Sequence, residues 1–341
     1  MTGSATRPAA PAATTETATA TAMAATAATA EGPRLLAGSP IAAQIRDGLT
    51  ADFAAFKERW GYVPTLAVVL VGADAPSAVY LQQILRTCQK VGVEGRLVEI
   101  GSDVTSNAVC TEIERLNADP AVAGIIVQMP LPAHIPLRTV IDSIDPAKDI
   151  DGIHPRNAGL LSLGYDGFLP ATAQAAVEIL KRSGIEIAGK RVIVVGRSNV
   201  VGKPAALLFL REHGTVSVLH SKTRDLGRYT RDAEILIVAA GKPGLVTGEM
   251  LSPGVVVVDV GINVVDDGQG GQKLVGDVDF ESARDVAAAI TPVPGGVGPL
   301  TNALLLSHLL RAATDQAERG AATATGAAAE SVAATATGAD R

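Results

Sequence analysis

Seven short apolar runs divide the middle of this chain, each closed by a glycine, a proline or a small residue. They read TLAVVLVG (65–72), GRLVEIG (95–101), GIIVQMP (124–130), RVIVVGR (191–197), VSVLHS (216–221), ILIVAA (235–240) and VVVVDVG (255–261). Such runs, bounded by turn-formers, mark strands buried on both faces of a parallel sheet. Between them the period turns helical. Ile41, Ile45, Leu49, Phe53, Phe56 and Trp60 recur every three or four residues, a second helix is expected from Ser77 to Val91, and a last apolar helix from Leu300 to Ala313. Strands alternating with helices give an α/β protein with parallel sheets. The last four strands recur at intervals of about twenty residues, the spacing of a Rossmann-like unit.

A chain of 341 residues has room for two such domains. The expected division is a tail over 1–34, a first α/β domain over 35–152 completed by 299–314, a Rossmann-like domain over 153–298, and a second tail over 315–341. The tails are almost wholly Ala, Thr, Ser, Gly and Pro. They carry no large apolar side chains to offset the entropy of ordering, so both are expected to be disordered. Two α/β domains leave a cleft between them for a cofactor and a substrate.

Charge and composition narrow the function. A formal net charge of −6 speaks against a nucleic-acid partner, which requires a basic face. Two cysteines, Cys88 and Cys110, make no disulfide framework and fit a reducing cytoplasm. The five histidines lie scattered, without metal-ligand spacing, so no metal site is expected. No apolar run reaches the ~18–20 residues of a membrane span, and the N-terminus lacks the basic flank and apolar core of a signal peptide.

The strand RVIVV runs into Gly196-Arg197-Ser198-Asn199-Val200-Val201-Gly202-Lys203-Pro204 and then a helix. A glycine-bounded turn opening a helix N-terminus is the local geometry that receives a phosphate. The spacing departs from G-x-G-x-x-G, so the loop alone also fits a ligand-free βα turn. The next strand discriminates. Enzymes that take NAD place a carboxylate after this strand to hold the ribose 2′-hydroxyl. Here it ends His220-Ser221-Lys222-Thr223-Arg224. Hydroxyls and cations suit a 2′-phosphate, and electrostatics favours NADP.

The remaining signals sit in loops at strand ends, where α/β folds bind ligands. Gly72-Ala73-Asp74-Ala75-Pro76-Ser77-Ala78-Val79-Tyr80 follows the first strand, and Val127-Gln128-Met129-Pro130-Leu131-Pro132 ends the third. Lys148-Asp149-Ile150-Asp151-Gly152 lies at the domain boundary, and Thr291-Pro292-Val293-Pro294-Gly295-Gly296-Val297-Gly298-Pro299 precedes the last helix. Each alone admits an ordinary structural account. Their combination does not.

Together VGADAPSAVY, VQMPLP, KDIDG, GRSNVVGKP, HSKT, DVGIN and TPVPGGVGP resemble, in order, the methylenetetrahydrofolate dehydrogenase/cyclohydrolase family of one-carbon metabolism. The resemblance runs from about Leu35 to Ala313. It implies a homodimer that binds NADP or NAD in the second domain and tetrahydrofolate derivatives in the cleft. It further implies that Tyr80, Gln128 and Asp151 form the reaction centre, with Tyr80 stacking on the folate ring and Asp151 holding the pterin. Ser77, Pro294, Gly295 and Gly296 would complete the substrate wall. Gly196, Arg197, Ser198, Gly202, Ser221 and Ile262 would meet the cofactor, with Arg197 and Ser221 nearest the 2′-phosphate.

One departure bears on chemistry. The family pattern is Tyr-x-x-x-Lys, which puts both side chains on one helix face. Here the fourth residue after Tyr80 is Ile84, and Lys90, six residues further on, points elsewhere. Smaller departures are Ala171 and Ala173, where the family reads Pro-Cys-Thr-Pro. Hydride removal from the methylene bridge moves no proton, whereas hydrolysis of the methenyl product needs proton transfer. The expected activity is therefore NADP-dependent dehydrogenation, with cyclohydrolase activity weakened or lost. The alternatives are an ordinary bifunctional enzyme, a non-catalytic folate-binding paralogue, or a shikimate-type dehydrogenase. The last would need a substrate-side lysine–aspartate pair, for which only Lys148 and Asp149 offer themselves.

Overall fold

The computed structural model describes residues 32–72, 75–268 and 271–337, with the side chains of 75–80 and 324–337 outside that description. The expected N-terminal tail lies almost wholly outside the described residues.

Eleven strands and ten α-helices are described. The first half holds β1 (Arg34–Leu35), α1 (Gly38–Trp60), β2 (Thr65–Val71), α2 (Ala75–Val91), β3 (Glu94–Ile100), α3 (Ser106–Ala118), β4 (Val122–Val127) and α4 (Leu137–Asp142). Then come α5 (Pro155–Leu163), α6 (Ala171–Arg182), β5 (Arg191–Val195), α7 (Gly202–Arg211), β6 (Thr215–Leu219), α8 (Leu226–Thr230) and β7 (Ile235–Val238). The chain continues through β8 (Val256–Asp259), β9 (Asn263–Asp266), β10 (Gln272–Val275), α9 (Phe280–Arg284), β11 (Ala289–Ile290) and α10 (Val297–Thr337).

The seven apolar runs are β2 to β8. Strands β3-β2-β4 form one parallel sheet, and β1-β11-β8-β7-β5-β6 form a second, also parallel. Strands β2, β4 and β7 are buried along their length because helices cover both faces. The edge strands β3 and β6 alternate with solvent. Sequence reading missed β1 and β11, whose two residues leave no periodicity to detect. It also missed the β9–β10 hairpin, which pairs only with itself and leaves Val264 and Leu274 exposed.

Two expected boundaries move. Arg34 and Leu35 pair with Ala289 and Ile290, so the segment assigned to the first domain begins on the sheet of the second. The C-terminal segment expected to leave the fold at 315 instead continues α10 to Thr337. Alanine is the best helix former, and the first turn past Thr314 finds partners. Gln316 donates to Pro120 O at 2.6 Å, Ala317 packs on the first-domain core, and Glu318 pairs with Arg59 at 3.7 Å.

Two helices bind the halves together. On α10, Leu300 and Leu304 enter the core of the second sheet, while Leu305, Leu306 and Leu309 enter that of the first. On α1, Ile41 packs against the former core, and Leu49, Phe53 and Phe56 belong to the latter. The start of α1 touches the 291–299 loop, where Gly38 N–H donates to Gly295 O at 2.9 Å. A Cβ at Gly38 would collide with Gly296 O, so no other residue fits there.

Among the described residues, one core group is unsatisfied. Thr65 begins β2, is fully buried, and its Oγ1 has no hydrogen-bond partner. An unpaired buried hydroxyl costs about 1–3 kcal/mol, and valine has nearly the same shape. Thr65→Val is expected to raise stability by on the order of 1 kcal/mol, read as a higher denaturant midpoint at unchanged slope. A lower midpoint would count against an unpaired hydroxyl.

Candidate active site

The KDIDG segment shows how the substrate side is built. Lys148 is buried, and its Nζ donates to Leu116 O (3.2 Å), Asn117 O (2.7 Å) and Asp119 O (2.8 Å). These carbonyls are the open end of α3, where a cation is favoured. Asp149, fully buried, accepts from Ile153 N–H (3.2 Å), His154 N–H (2.7 Å) and Asn157 Nδ2 (2.8 Å), tying down the entry to α5. Both residues of the lysine–aspartate pair are thus held by backbone, and the shikimate-type reading loses its site. Ile150 is fully buried, and its carbonyl accepts from His308 Nδ1 at 2.7 Å.

Asp151 remains. It is partly exposed and lies at the N-terminus of α6, where the Ala171 N–H hydrogen-bonds its carboxylate. Burial and the charge of Asp149 push its pKa up to about 7, against the pull of that hydrogen bond. A carboxylate near its titration point, presented by a helix N-terminus, is suited to accept hydrogen bonds from a ligand.

Gln128 lies just past β4, half-buried. Its N–H closes the ladder onto Val69 O (2.8 Å), and its amide Nε2 donates to Met129 O (2.9 Å). The peptides Met129–Pro130 and Val293–Pro294 are both cis. Gly295 and Gly296, which follow Pro294, lie against the start of α1 through the contacts of Gly38. The side chains of Ser77 and Tyr80 lie outside the described residues. Ile84, one turn on, is 3% exposed and belongs to the first-domain core with Leu81 and Cys88.

On the cofactor side the loop after β5 closes tightly. Gly196 has φ 133°, and a Cβ there would strike Ala239 O, while a Cβ at Gly202 would strike Gly196 O. Ser198 is exposed, but its Oγ accepts from Val201 N–H (3.1 Å) and Gly202 N–H (3.2 Å). It therefore shapes the turn that opens α7. Arg197 is exposed and makes no ion pair among the described residues. Ser221 is exposed on a turn locked by Thr223, whose Oγ1 accepts from His220 N–H at 2.9 Å. Beside it, Ser217, Val218, Leu219, Lys222, Thr223, Arg224 and Tyr229 line an open groove of about 580 Å³. The first carboxylate after this strand, Asp225, is turned to the start of α8, accepting from Arg228 N–H at 3.3 Å. The donor set beyond β6 thus fits a phosphorylated ribose.

Sequence reading missed the acids that hold the far wall. Asp277, fully buried, gathers Ala240 N–H (2.6 Å), Gly241 N–H (2.7 Å), Lys242 N–H (2.8 Å) and Asn263 Nδ2 (2.9 Å). Asp259 accepts from Gly261, Asp277 and Val278 N–H groups. Burial pushes its pKa up to about 6, which those hydrogen bonds oppose. An aspartate beside a glycine at a strand end, as in Gly276-Asp277, was the available signal. These two acids fix the strand ends from which Ile262 projects, 60% exposed. A Cβ on Gly298 would lie 3.7 Å from Ile262 Cδ1, so a cofactor-side residue meets the substrate-side loop.

Fold and loops together define a two-domain, nicotinamide-nucleotide-dependent enzyme. The pattern of the tetrahydrofolate dehydrogenase/cyclohydrolase catalytic domain matches residues 36–151, and that of the family's NAD(P)-binding domain matches 170–317. The chain belongs to this family. A bifunctional protein FolD of Halalkalibacterium halodurans is 47% identical over 281 residues, covering 82% of this chain and 99% of the relative. Among solved structures, the bifunctional FolD of Campylobacter jejuni is 42% identical with a TM-score of 0.79, over 82% of this chain and 98% of that one. The Trypanosoma brucei enzyme, complexed with NADP and an inhibitor, is 38% identical with a TM-score of 0.80, over 83% and 98%.

Proposed function

We propose that this protein oxidises 5,10-methylenetetrahydrofolate to 5,10-methenyltetrahydrofolate with NADP, and that its cyclohydrolase step is weak. The observation that carries the first part is Asp151. Lys148 is taken up at the end of α3 and Asp149 at the start of α5, whereas Asp151, still partly exposed, meets the Ala171 N–H at the start of α6. Its carboxylate accepts two hydrogen bonds from the pterin amino and ring N–H groups, and Tyr80 stacks on the ring. Bound NADP supplies the hydride acceptor, held by Arg197 and Ser221 at the 2′-phosphate, with Ile262 and Pro294–Gly296 bounding the reacting face. Oxidation leaves a cation delocalised over the two folate nitrogens, and positioning is what the protein must provide.

The second part rests on Ile84, a buried alkyl group where the family pattern has lysine. A second reading, the fully bifunctional enzyme, is favoured by the FolD relatives, which are named bifunctional. Purified protein given methylenetetrahydrofolate and NADP, with methenyl and formyl products followed separately, separates the two. Accumulation of the methenyl product supports the first reading; formyl product appearing at the dehydrogenase rate establishes the second. No NADPH at all would overturn both.

The cofactor assignment has its own test. Arg197→Ala is expected to raise KM for NADP by about five- to a hundredfold, the loss of a charge-assisted phosphate contact worth about 1–3 kcal/mol. KM for NAD should hardly move. Equal loss with both cofactors would remove Arg197 from the 2′-phosphate. This reading carries with it a cytoplasmic homodimer, as the family resemblance implies; the two free cysteines accord with a reducing compartment.

A further inference from the structure

His308 lies on α10, far from Asp151 in sequence, and is 8% exposed. Its Nδ1 is 2.7 Å from Ile150 O, and its Nε2 is 2.9 Å from the side-chain amide of Gln174, at the first turn of α6. These two partners are the two supports of Asp151. Ile150 supplies the peptide immediately before it, and α6 supplies the Ala171 N–H that binds its carboxylate. The imidazole stands between them, against the Phe168 ring at 5.7 Å.

We propose that His308 is a positioning residue for Asp151, holding the Ile150–Asp151 peptide and the N-terminus of α6 at a fixed separation. The proposal rests on the reading of Asp151 as the pterin-binding carboxylate. A carbonyl only accepts, so Nδ1 carries the proton toward Ile150 O. Burial, aided by the nearby Arg311 charge, pulls the imidazole pKa down to about 4, and the ring is neutral during turnover. Nε2 is then an acceptor, and the Gln174 amide turns its NH₂ toward it, the assignment with its O and N exchanged. The charged groups around the joint are Arg311 on the same helix and Asp149 and Asp151 on the KDIDG segment. Arg311 is itself engaged, over the Phe168 ring at 5.2 Å and to Gly167 O at 3.2 Å.

The geometry separates this role from simple core filling. Phenylalanine fills the same space and keeps the ring contact with Phe168 but makes neither hydrogen bond. His308→Phe is therefore expected to raise KM for methylenetetrahydrofolate at least tenfold at saturating NADP. It should also shift the acid limb of kcat/KM by half a pH unit or more, because the carboxylate environment changes. KM for NADP should stay within twofold. His308→Gln keeps an N–H able to reach Ile150 O and should recover part of the loss. Gln174→Leu cuts only the other arm and should shift the acid limb in the same direction, which keeps the test decisive if His308→Phe does not fold. An unchanged acid limb and folate KM in folded His308→Phe, or in Gln174→Leu when His308→Phe does not fold, overturns the proposal. Failure of the underlying reading looks different. Asp151→Asn would then leave folate KM unchanged whatever His308 does.

Discussion

Asp151→Asn is expected to lower kcat/KM for methylenetetrahydrofolate by roughly thirty- to a thousandfold, while making the protein more stable at pH 8. The kinetic loss follows from exchanging a doubly accepting carboxylate for a single neutral acceptor. Hydrogen bonds to a charged group are worth about 1.5–3 kcal/mol each, and neutral ones about 1. KM for NADP should not change. The gain in stability has the opposite origin. The Asp151 pKa is pushed up to about 7 by burial and by Asp149, whereas an unfolded aspartate titrates near 3.9. The folded state therefore holds this proton more tightly than the unfolded chain. Its contribution to stability is fully present below about pH 4 and is lost as pH rises through 7. At pH 8 the ionised carboxylate weakens the fold by at most about 4 kcal/mol, less what solvent screens, and asparagine removes that penalty. Tm of the variant should exceed that of the parent by a few degrees at pH 8, and the gap should close toward pH 4. In the parent protein, kcat/KM should fall about tenfold per pH unit below the neutral range as the acceptor is protonated. An Asn variant with normal folate KM, or one destabilised equally at both pH values, would show that Asp151 is merely structural.

The second large effect is a gain. Ile84→Lys is expected to raise methenyltetrahydrofolate hydrolysis at least tenfold, the lower end of what a general acid–base group supplies, about 10²–10⁴-fold. Dehydrogenase kcat should change much less, because hydride removal requires no proton transfer. Ile84 belongs to the first-domain core at 3% exposure, so a lysine there must either carry its ammonium along the helix toward Tyr80 or lose its charge. A loss of about 1–3 kcal/mol in stability should accompany the gain. The same desolvation would pull the ammonium pKa toward the range useful for a base. Parent protein that already hydrolyses the methenyl compound as fast as it makes it would refute the premise. Unchanged hydrolysis in a folded Ile84→Lys protein would refute the remedy.

What was legible in the sequence was whatever leaves a local signature. The seven apolar runs gave both main sheets, because strands buried on two faces need no partner to be recognised. The glycine-bounded loop at 196–202 and the end of β6 gave the cofactor side for the same reason. Within KDIDG, however, three polar residues look alike in sequence and do different things. Lys148 closes α3, Asp149 opens α5, and Asp151 meets the start of α6. The difference arises from which helix end lies opposite each one. The buried acids Asp259 and Asp277 escaped notice because nearly all their partners are backbone N–H groups, which have no sequence. The helical extension to Thr337 was missed because composition was read for its lack of bulk, while the propensity of alanine and the docking of Gln316 and Ala317 act in the other direction.

The last helix also dictates the order in which the molecule can come into being. Leu305, Leu306 and Leu309 complete the core around β2 and β4, although those strands precede them by well over a hundred residues. A ribosome therefore releases the first sheet long before the wedge that seals it. During that interval one face of the sheet has only α1 and α2 to cover it and lacks the leucines of the last helix, a condition that favours aggregation of nascent chains. The Rossmann-like core is drawn mostly from residues 161–258, yet it also takes in Leu36, Ala289 and, from the last helix, Val297, Leu300 and Leu304. Synthesis thus runs from N-terminus to C-terminus, while both cores wait on the last helix to close.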